Sequence, residues 1–269
     1  MSLPDLPDPG FPSPLALQRV VRCLRADIEA TEKTRDLVRP GPLSGDSSYL
    51  DRLIHKPWGS EFRVYEDDLR EVWYLHIRAA HRTSLHCHPH KLAALLCTEG
   101  KGTLSTCTGV QYSLEPGVVL QIEPGAYHRS AASSSNGLRL IEVETPKDKF
   151  DLLRIEDDYR DVTEPYERRH CAPLRLVEQA GAGAIPLALQ PFVEQQLVGN
   201  RWARLRAQCS VGRYRFAVET GEQVHASFNL VFAIALEPHP TPPRDVTVFG
   251  PDSAFAAAPQ IVYLTIRSR

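Results

Sequence analysis

Apolar positions change their period twice along this chain of 269 residues. Residues 1–12 are proline-rich and show no period. Ser13 followed by Pro14 reads as a helix N-cap with proline at the first helical position. Leu15, Leu17, Val20, Val21, Leu24, Ile28 and Ala30 then fit one apolar stripe, which predicts a helix over 15–38 that Arg39-Pro40-Gly41-Pro42 stops. Such a helix would pack on the main domain or on a partner subunit.

From Lys56 the pattern becomes a series of short β-runs. Residues 61–65 alternate apolar and polar, 71–77 are rich in Val, Trp, Tyr and Ile, and 93–97 are wholly apolar. Glu99-Gly100-Lys101-Gly102 marks a turn before a run at 103–105. Further runs span 118–122 and 138–143. Short strands at near-regular spacing predict an antiparallel sandwich or a jelly-roll barrel. Residues 147–169 are strongly charged and read as a solvated connector. Beyond it, 202–206, 214–218, 228–236, 246–249 and 261–266 read as strands without a histidine cluster. The expected division is an N-terminal segment with a helix (1–50), a β-barrel domain (51–160) and a β-rich C-terminal domain (161–269).

Composition narrows the class. Apolar residues make up 42% and charged residues 24%, as in ordinary globular proteins. A net charge of -2 gives no electrostatic case for nucleic acid or an anionic membrane. No apolar run has the length of a membrane span, and the first residues lack the basic and apolar regions of a signal peptide. The cysteines show no C-x-x-C spacing, so reduced thiols in a cytoplasmic protein are expected rather than a zinc ribbon or a disulfide framework.

Chemistry concentrates at Thr83 to Lys91, which reads T-S-L-H-C-H-P-H-K. His86, His88 and His90 recur with period two, which in an extended strand puts all three imidazoles on one face. Neutral imidazole is the commonest ligand for zinc, copper, iron and nickel, so this is a metal-site signal. Cys87 falls between two of them and is expected on the opposite face, in a core. A second histidine-bearing segment, Glu123-Pro124-Gly125-Ala126-Tyr127-His128, has a Pro-Gly corner that would aim His128 toward the first group.

His86-Cys87-His88 with Gly100 and Gly102, and Pro124-Gly125-Ala126-Tyr127-His128, resemble the two motifs of the cupin superfamily. Ala80 stands where the first motif has its leading glycine, Glu123 replaces the first proline of the second, and Leu92 and Ala93 fall where the motif has a glutamate. Four pieces further resemble the mannose-6-phosphate isomerase type and related sugar-phosphate cupins: Lys56-Pro57-Trp58-Gly59-Ser60, the run from Ser84 to Lys91, Ile141-Glu142-Val143-Glu144, and the segment from Asp151 to Tyr159. The resemblance implies a cupin jelly-roll barrel in an all-β-dominated fold, with the C-terminal region a second β-rich unit or a degenerate second cupin barrel. It implies a divalent ion (Zn, Fe, Mn or Ni) held by His86, His88 and His128, with His90 or an acid from another strand, Glu142 or Glu144, as a further ligand. It also implies a homodimer.

The leading expectation is a metal-dependent isomerase or epimerase of a sugar or sugar phosphate, with a carbohydrate or other small anionic metabolite as its substrate. Glu142 or His90 would shuttle the proton, Lys91 would hold an anionic group, and Tyr127 would contact a substrate oxygen. The alternatives are a three-histidine Fe(II) dioxygenase and a non-catalytic small-molecule-binding cupin.

Overall fold

A computed structural model describes residues 19–34, 48–148, 151–159, 171–172, 192–197, 201–206, 210–211, 214–225, 230–236, 248–249 and 261–268. The N-terminal part is a strand β1 (Arg19–Val21) and a helix α1 (Arg25–Thr34). The barrel region holds β2 (Leu53–Lys56), β3 (Gly59–Glu66), β4 (Glu71–Ile77), β5 (Leu85–Cys87), β6 (Leu92–Gly100), β7 (Gly102–Thr106), β8 (Gln111–Leu114), β9 (Val119–Ile122), β10 (His128–Ala132), β11 (Leu138–Thr145) and β12 (Leu153–Glu156). After it come β13 (Cys171–Ala172), β14 (Phe192–Leu197), β15 (Arg201–Arg206), β16 (Ser210–Val211), β17 (Tyr214–Thr220), α2 (Gly221–His225), β18 (Leu230–Ala235), β19 (Val248–Phe249) and β20 (Val262–Ser268).

Among the described residues these strands form three layers. The central layer is a ten-stranded sheet running β1-β9-β6-β11-β4-β3-β15-β14, with β2 and β13 continuing from β3. The five-stranded sheet β12-β5-β10-β7-β8 closes the barrel against one face of it. The interior between them holds Trp73, Leu75, Leu95, Leu138 and Leu140 of the large sheet with Leu104, Leu114 and Ala132 of the small one. The other face of the large sheet packs on the C-terminal sheet β16-β17-β20-β18-β19. That second core joins Phe62, Val64, Tyr74, Leu96 and Ile141 to Phe216, Phe232, Ile234 and Leu264. Tyr214 fastens the two layers by donating its hydroxyl to the carbonyl of Thr98 at 2.7 Å.

Burial on both faces explains why 93–97 reads as an unbroken apolar run rather than as an alternation. The alternation in β3 has the opposite sense to a solvated strand. Phe62 and Val64 enter the core shared with the C-terminal sheet, while Glu61 and Arg63 are themselves buried. The two halves of the chain therefore share a core, and β15 hydrogen-bonds directly to β3 at Leu205 and Tyr65. The expected second barrel extends into 173–191, 237–247 and 250–260, which lie outside the described residues.

The N-terminal expectation needs correction. Residues 19–21 form a strand that pairs in parallel with β9, and the helix begins only at Arg25. Part of its supposed buried stripe faces out: Leu24 and Ile28 are exposed, Ala30 is half-buried, and Asp27 is buried instead. The Asp27 carboxylate accepts from the backbone N–H groups of Leu24 (2.7 Å) and Tyr127 (2.9 Å) and from the thiol of Cys107 (3.0 Å). Polar anchoring of one carboxylate, not apolar periodicity, orients this helix. The ends of the predicted helix, 15–18 and 35–38, lie outside the described residues.

Ala80 takes up the backbone role that its position implies for glycine. Its φ of 59° is the left-handed conformation in which a Cβ is disfavoured. Ala80→Gly should therefore raise stability by up to about 1 kcal/mol, the αL penalty relieved less the added chain entropy. Urea unfolding would show a higher midpoint at unchanged slope.

Candidate metal centre

Three backbone devices bring three imidazoles to one point. His86 and His128 are direct cross-strand partners of β5 and β10, so their side chains share a face. His88 follows β5 immediately, and its carbonyl accepts from the N–H of Gly125 at 2.8 Å. That bond ties the strand end to the Pro124-Gly125 corner, where Gly125 has a φ of 80°. The rings stand 4.5 Å (His86–His128), 5.4 Å (His86–His88) and 5.7 Å (His88–His128) apart between centroids.

All three rings are held in one tautomer. Nδ1 of His86 bonds the carbonyl of Ser84 (2.9 Å), Nδ1 of His88 that of Asp151 (2.7 Å) and Nδ1 of His128 that of Ala126 (3.0 Å). A carbonyl oxygen only accepts, so each Nδ1 carries the proton and each neutral ring keeps its lone pair on Nε2. Burial, the largest cause, holds all three below the usual histidine range. His86 is pushed well down, with His128 and His88 adding to the effect, and His88 lies at about 4.

Glu142 and Glu144 of β11 form a second group with His88, which is the member shared with the three imidazoles. The carboxylate of Glu144 comes within 3.6 Å of His88 Nε2, and that of Glu142 within 3.9 Å. Nε2 of His88 is buried and has no hydrogen-bond partner among the described residues. In the neutral tautomer this nitrogen is an acceptor facing carboxylate oxygens that are also acceptors. A cation between them would satisfy every one of these lone pairs. Two donors each about 2.0–2.2 Å from one ion stand at most roughly 4.4 Å apart, and both spacings fall inside that bound. The donor set of imidazoles and carboxylates suits a first-row divalent ion. The carbonyls behind the three Nδ1 atoms are the partners that orient metal-binding histidines.

The site opens into a cavity of about 60 Å³. Trp58, Leu75, Leu95 and Leu152 give it apolar walls; Lys56, Glu61, Lys91 and Arg154 bring charge. Arg154 is the cross-strand partner of His86 on its other side. Lys91 is 1% exposed, and its amine donates to Glu144 at 2.7 Å with Glu71 at 3.8 Å.

Of the residues singled out from sequence, the structure gathers His86, His88, His128, Glu142 and Lys91 around this cavity. It does not bring His90 or Tyr127 there. The period-two expectation for His90 needs correction: β5 ends at Cys87, Pro89 interrupts the extended backbone, and the His90 side chain is 83% exposed. Its Nδ1 bonds the Asp151 carboxylate at 2.8 Å. Tyr127 is fully buried on the opposite side, beside Leu85 and Cys87, with its hydroxyl accepting from Thr31 at 3.3 Å. Cys87 lies in the same apolar cluster as expected, and burial pushes its thiol up to about 12.

Asp151 enters the sequence reading only as the first residue of the 151–159 segment, with no role given to it. Besides its carbonyl bond to His88, its carboxylate accepts the N–H groups of His90 (2.9 Å) and Lys91 (3.0 Å), which fixes the turn between His88 and β6. No local period announces it, because its partners lie 60 to 63 positions earlier in the chain.

Residues 73–144 match the family model of the cupin domain. That match lies within the two-sheet barrel. Three solved structures are similar to parts of the chain. One is an uncharacterized conserved protein with a double-stranded beta-helix domain from Klebsiella pneumoniae, 18% identical, covering 46% of this chain and 95% of its own, TM-score 0.34. Another is KdgF from Halomonas sp., 14% identical, 38% and 94% covered, TM-score 0.34. The third is an RmlC-like cupin from Shewanella frigidimarina, 14% identical, 40% and 95% covered, TM-score 0.33. Comparison with curated proteins gives no match. Among the described residues no helix is long and apolar enough to cross a membrane.

The lowered pKa of His88 sets a sign for pH. Above 6.5 the ring is neutral folded and unfolded; between 6.5 and about 4 only the unfolded chain takes up the proton. Metal-free protein should therefore lose stability on acidification across that window, and the part due to His88 should level off below it. Urea midpoints measured against pH should fall less steeply in His88→Leu than in the wild type.

Proposed function

We propose that this cupin domain is a divalent-metal-dependent enzyme, an isomerase or epimerase of a sugar or sugar phosphate. The observation that carries the metal reading is the unpartnered buried Nε2 of His88 facing the Glu142 and Glu144 carboxylates. His86, His88 and His128 would hold the ion through Nε2, their Nδ1 bonds leaving no other nitrogen free for it. The bound ion would polarise a substrate carbonyl as a Lewis acid.

The chain's own groups account for the rest. Aldose–ketose exchange moves a proton between adjacent carbons, and one positioned carboxylate can take it from the first and return it to the second. Glu142 lines the cavity, one interior position along β11 from Glu144, which supports giving it this role. Lys56 and Arg154 supply positive charge in the same cavity for an anionic substrate group, while Trp58, Leu75 and Leu152 keep bulk water from the reacting end. Lys91 serves this reading indirectly, since its amine is engaged by Glu144. The carboxylates beside His88 favour proton transfer over the dioxygenase alternative, which calls for a carboxylate-free centre. A homodimer is part of the proposal, and light scattering would test it.

His88→Ala should abolish both bound metal and activity. Elemental analysis of protein purified without chelator, followed by NMR assay of isomerisation on sugar phosphates, tests this. Full metal content in the variant would refute the assignment. Oxygen uptake by iron-loaded protein would favour the dioxygenase instead, and a wild-type protein without metal would favour a binding module.

A further inference from the structure

We infer that Arg154 is the substrate-recognition residue of this cavity and that it takes a carboxylate next to the reacting carbon, which makes the substrate a carbohydrate acid rather than a sugar phosphate. The inference rests on the metal reading above and narrows its substrate class.

Three observations single out Arg154. First, its direction follows from β12. Leu153 and Ile155 turn outward into the apolar cluster of Leu85, Cys87 and Tyr127, so Arg154 between them points to the barrel side, where it lines the cavity. It is the cross-strand partner of His86, and its positive charge is among the causes that hold the His86 ring low. Second, this is the accessible side of the centre. His88 and His128 are buried, whereas His86 and Arg154 are half-buried. Third, the other two cations of the cavity wall sit in buried ion pairs. Lys56 meets Glu61 at 3.4 Å, and Lys91 meets Glu144 at 2.7 Å.

The surroundings then select the anion. Because Arg154 and His86 are adjacent across the ladder, an anion held by the guanidinium lies next to the histidine cluster and not at the far end of the substrate. The planar guanidinium fork matches a planar carboxylate. Phosphate groups are commonly cradled at helix N-termini. Here the lining residues belong to strands and their connections, and α1 packs against the outward cluster of β5 through Ala30, so among the described residues no helix N-terminus serves the cavity. Glu61, Glu142 and Glu144 in the same wall also oppose a phosphomonoester, close to a dianion at neutral pH, more than a carboxylate monoanion.

The test compares D-glycerate with glycerol 3-phosphate, a pair on the same carbon skeleton that differs in the anionic group, by calorimetric titration of Co(II)-loaded protein. D-Glycerate should bind at least ~10-fold tighter. Arg154→Met should cost ~10-fold or more in glycerate affinity while Co(II) affinity stays within about threefold of the wild type. Arg154→Lys keeps the charge without the fork and should recover only part of that loss. Tighter binding of glycerol 3-phosphate, or wild-type glycerate affinity in Arg154→Met, would overturn the inference. So would loss of Co(II) in both Arg154 variants, since Arg154 would then act on the histidine cluster. A wild type that binds no Co(II) would overturn the metal reading instead. Glycerate binding to that metal-free protein, lost in Arg154→Met, would still support the subsite, and its absence would overturn the inference as well.

Discussion

Lys91 carries a charge into the barrel interior, and that charge dictates its surroundings. An isolated buried ammonium costs several kcal/mol, and only close, well-oriented counter-charges offset it. Here the compensation runs as a line of alternating sign. Lys91 faces Glu144 and Glu71; Glu71 faces Arg63 at 3.7 Å; Arg63 meets Glu66 at 2.5 Å and Asp51 at 2.6 Å. Arg204, from the C-terminal half, closes on Glu66 at 2.5 Å and on Asp51 at 2.7 Å. The candidate metal centre and β15 thus lie at the two ends of one electrostatic chain. Removing one of the inner links, Glu144, Glu71 or Arg63, would strand a charge that burial makes expensive.

This chain is possible because the large sheet is covered on both sides. Its outward-facing aromatic and branched residues pack on the C-terminal sheet, so its interior-facing positions are free to be polar. In β3, β4 and β11 the usual sense of a barrel strand is partly inverted, with Glu61, Arg63, Glu71, Glu142 and Glu144 on the barrel side. Hydrophobic burial on one face holds the sheet, and ionic chemistry occupies part of the other.

Much of this was legible in the sequence because local signals carried it. The β-runs at 71–77, 93–97 and 138–143 are strands, and the H-x-H run and the Pro-Gly corner bring His86, His88 and His128 together. What escaped reading depends on partners far away in the chain. The apolar stripe over 15–38 fits a helix on its own, but edge pairing with β9 took residues 19–21 and Asp27 took over the anchoring. His90 fitted a period of two until the strand ended one residue before His88. Glu142 and Glu144 were candidates from the sequence, but only the register of β11 against β6, which sets Glu144 opposite Ala93, explains why they lie beside His88. No periodicity reveals a cross-strand register. The clamp made by Asp151 was hidden for the same reason.

The double coverage of the central sheet limits how this domain can be divided. The segment that carries the family signature, 73–144, supplies residues to both walls of the barrel core but to only one wall of the core shared with the C-terminal sheet. Cutting the chain after β12 would bare Phe62, Val64, Tyr74, Leu96, Ile141 and Val143 as one continuous apolar patch. The C-terminal sheet therefore works as a permanently docked cover. In evolutionary terms, the barrel could exchange the side chains that line its cavity far more readily than it could shed that cover.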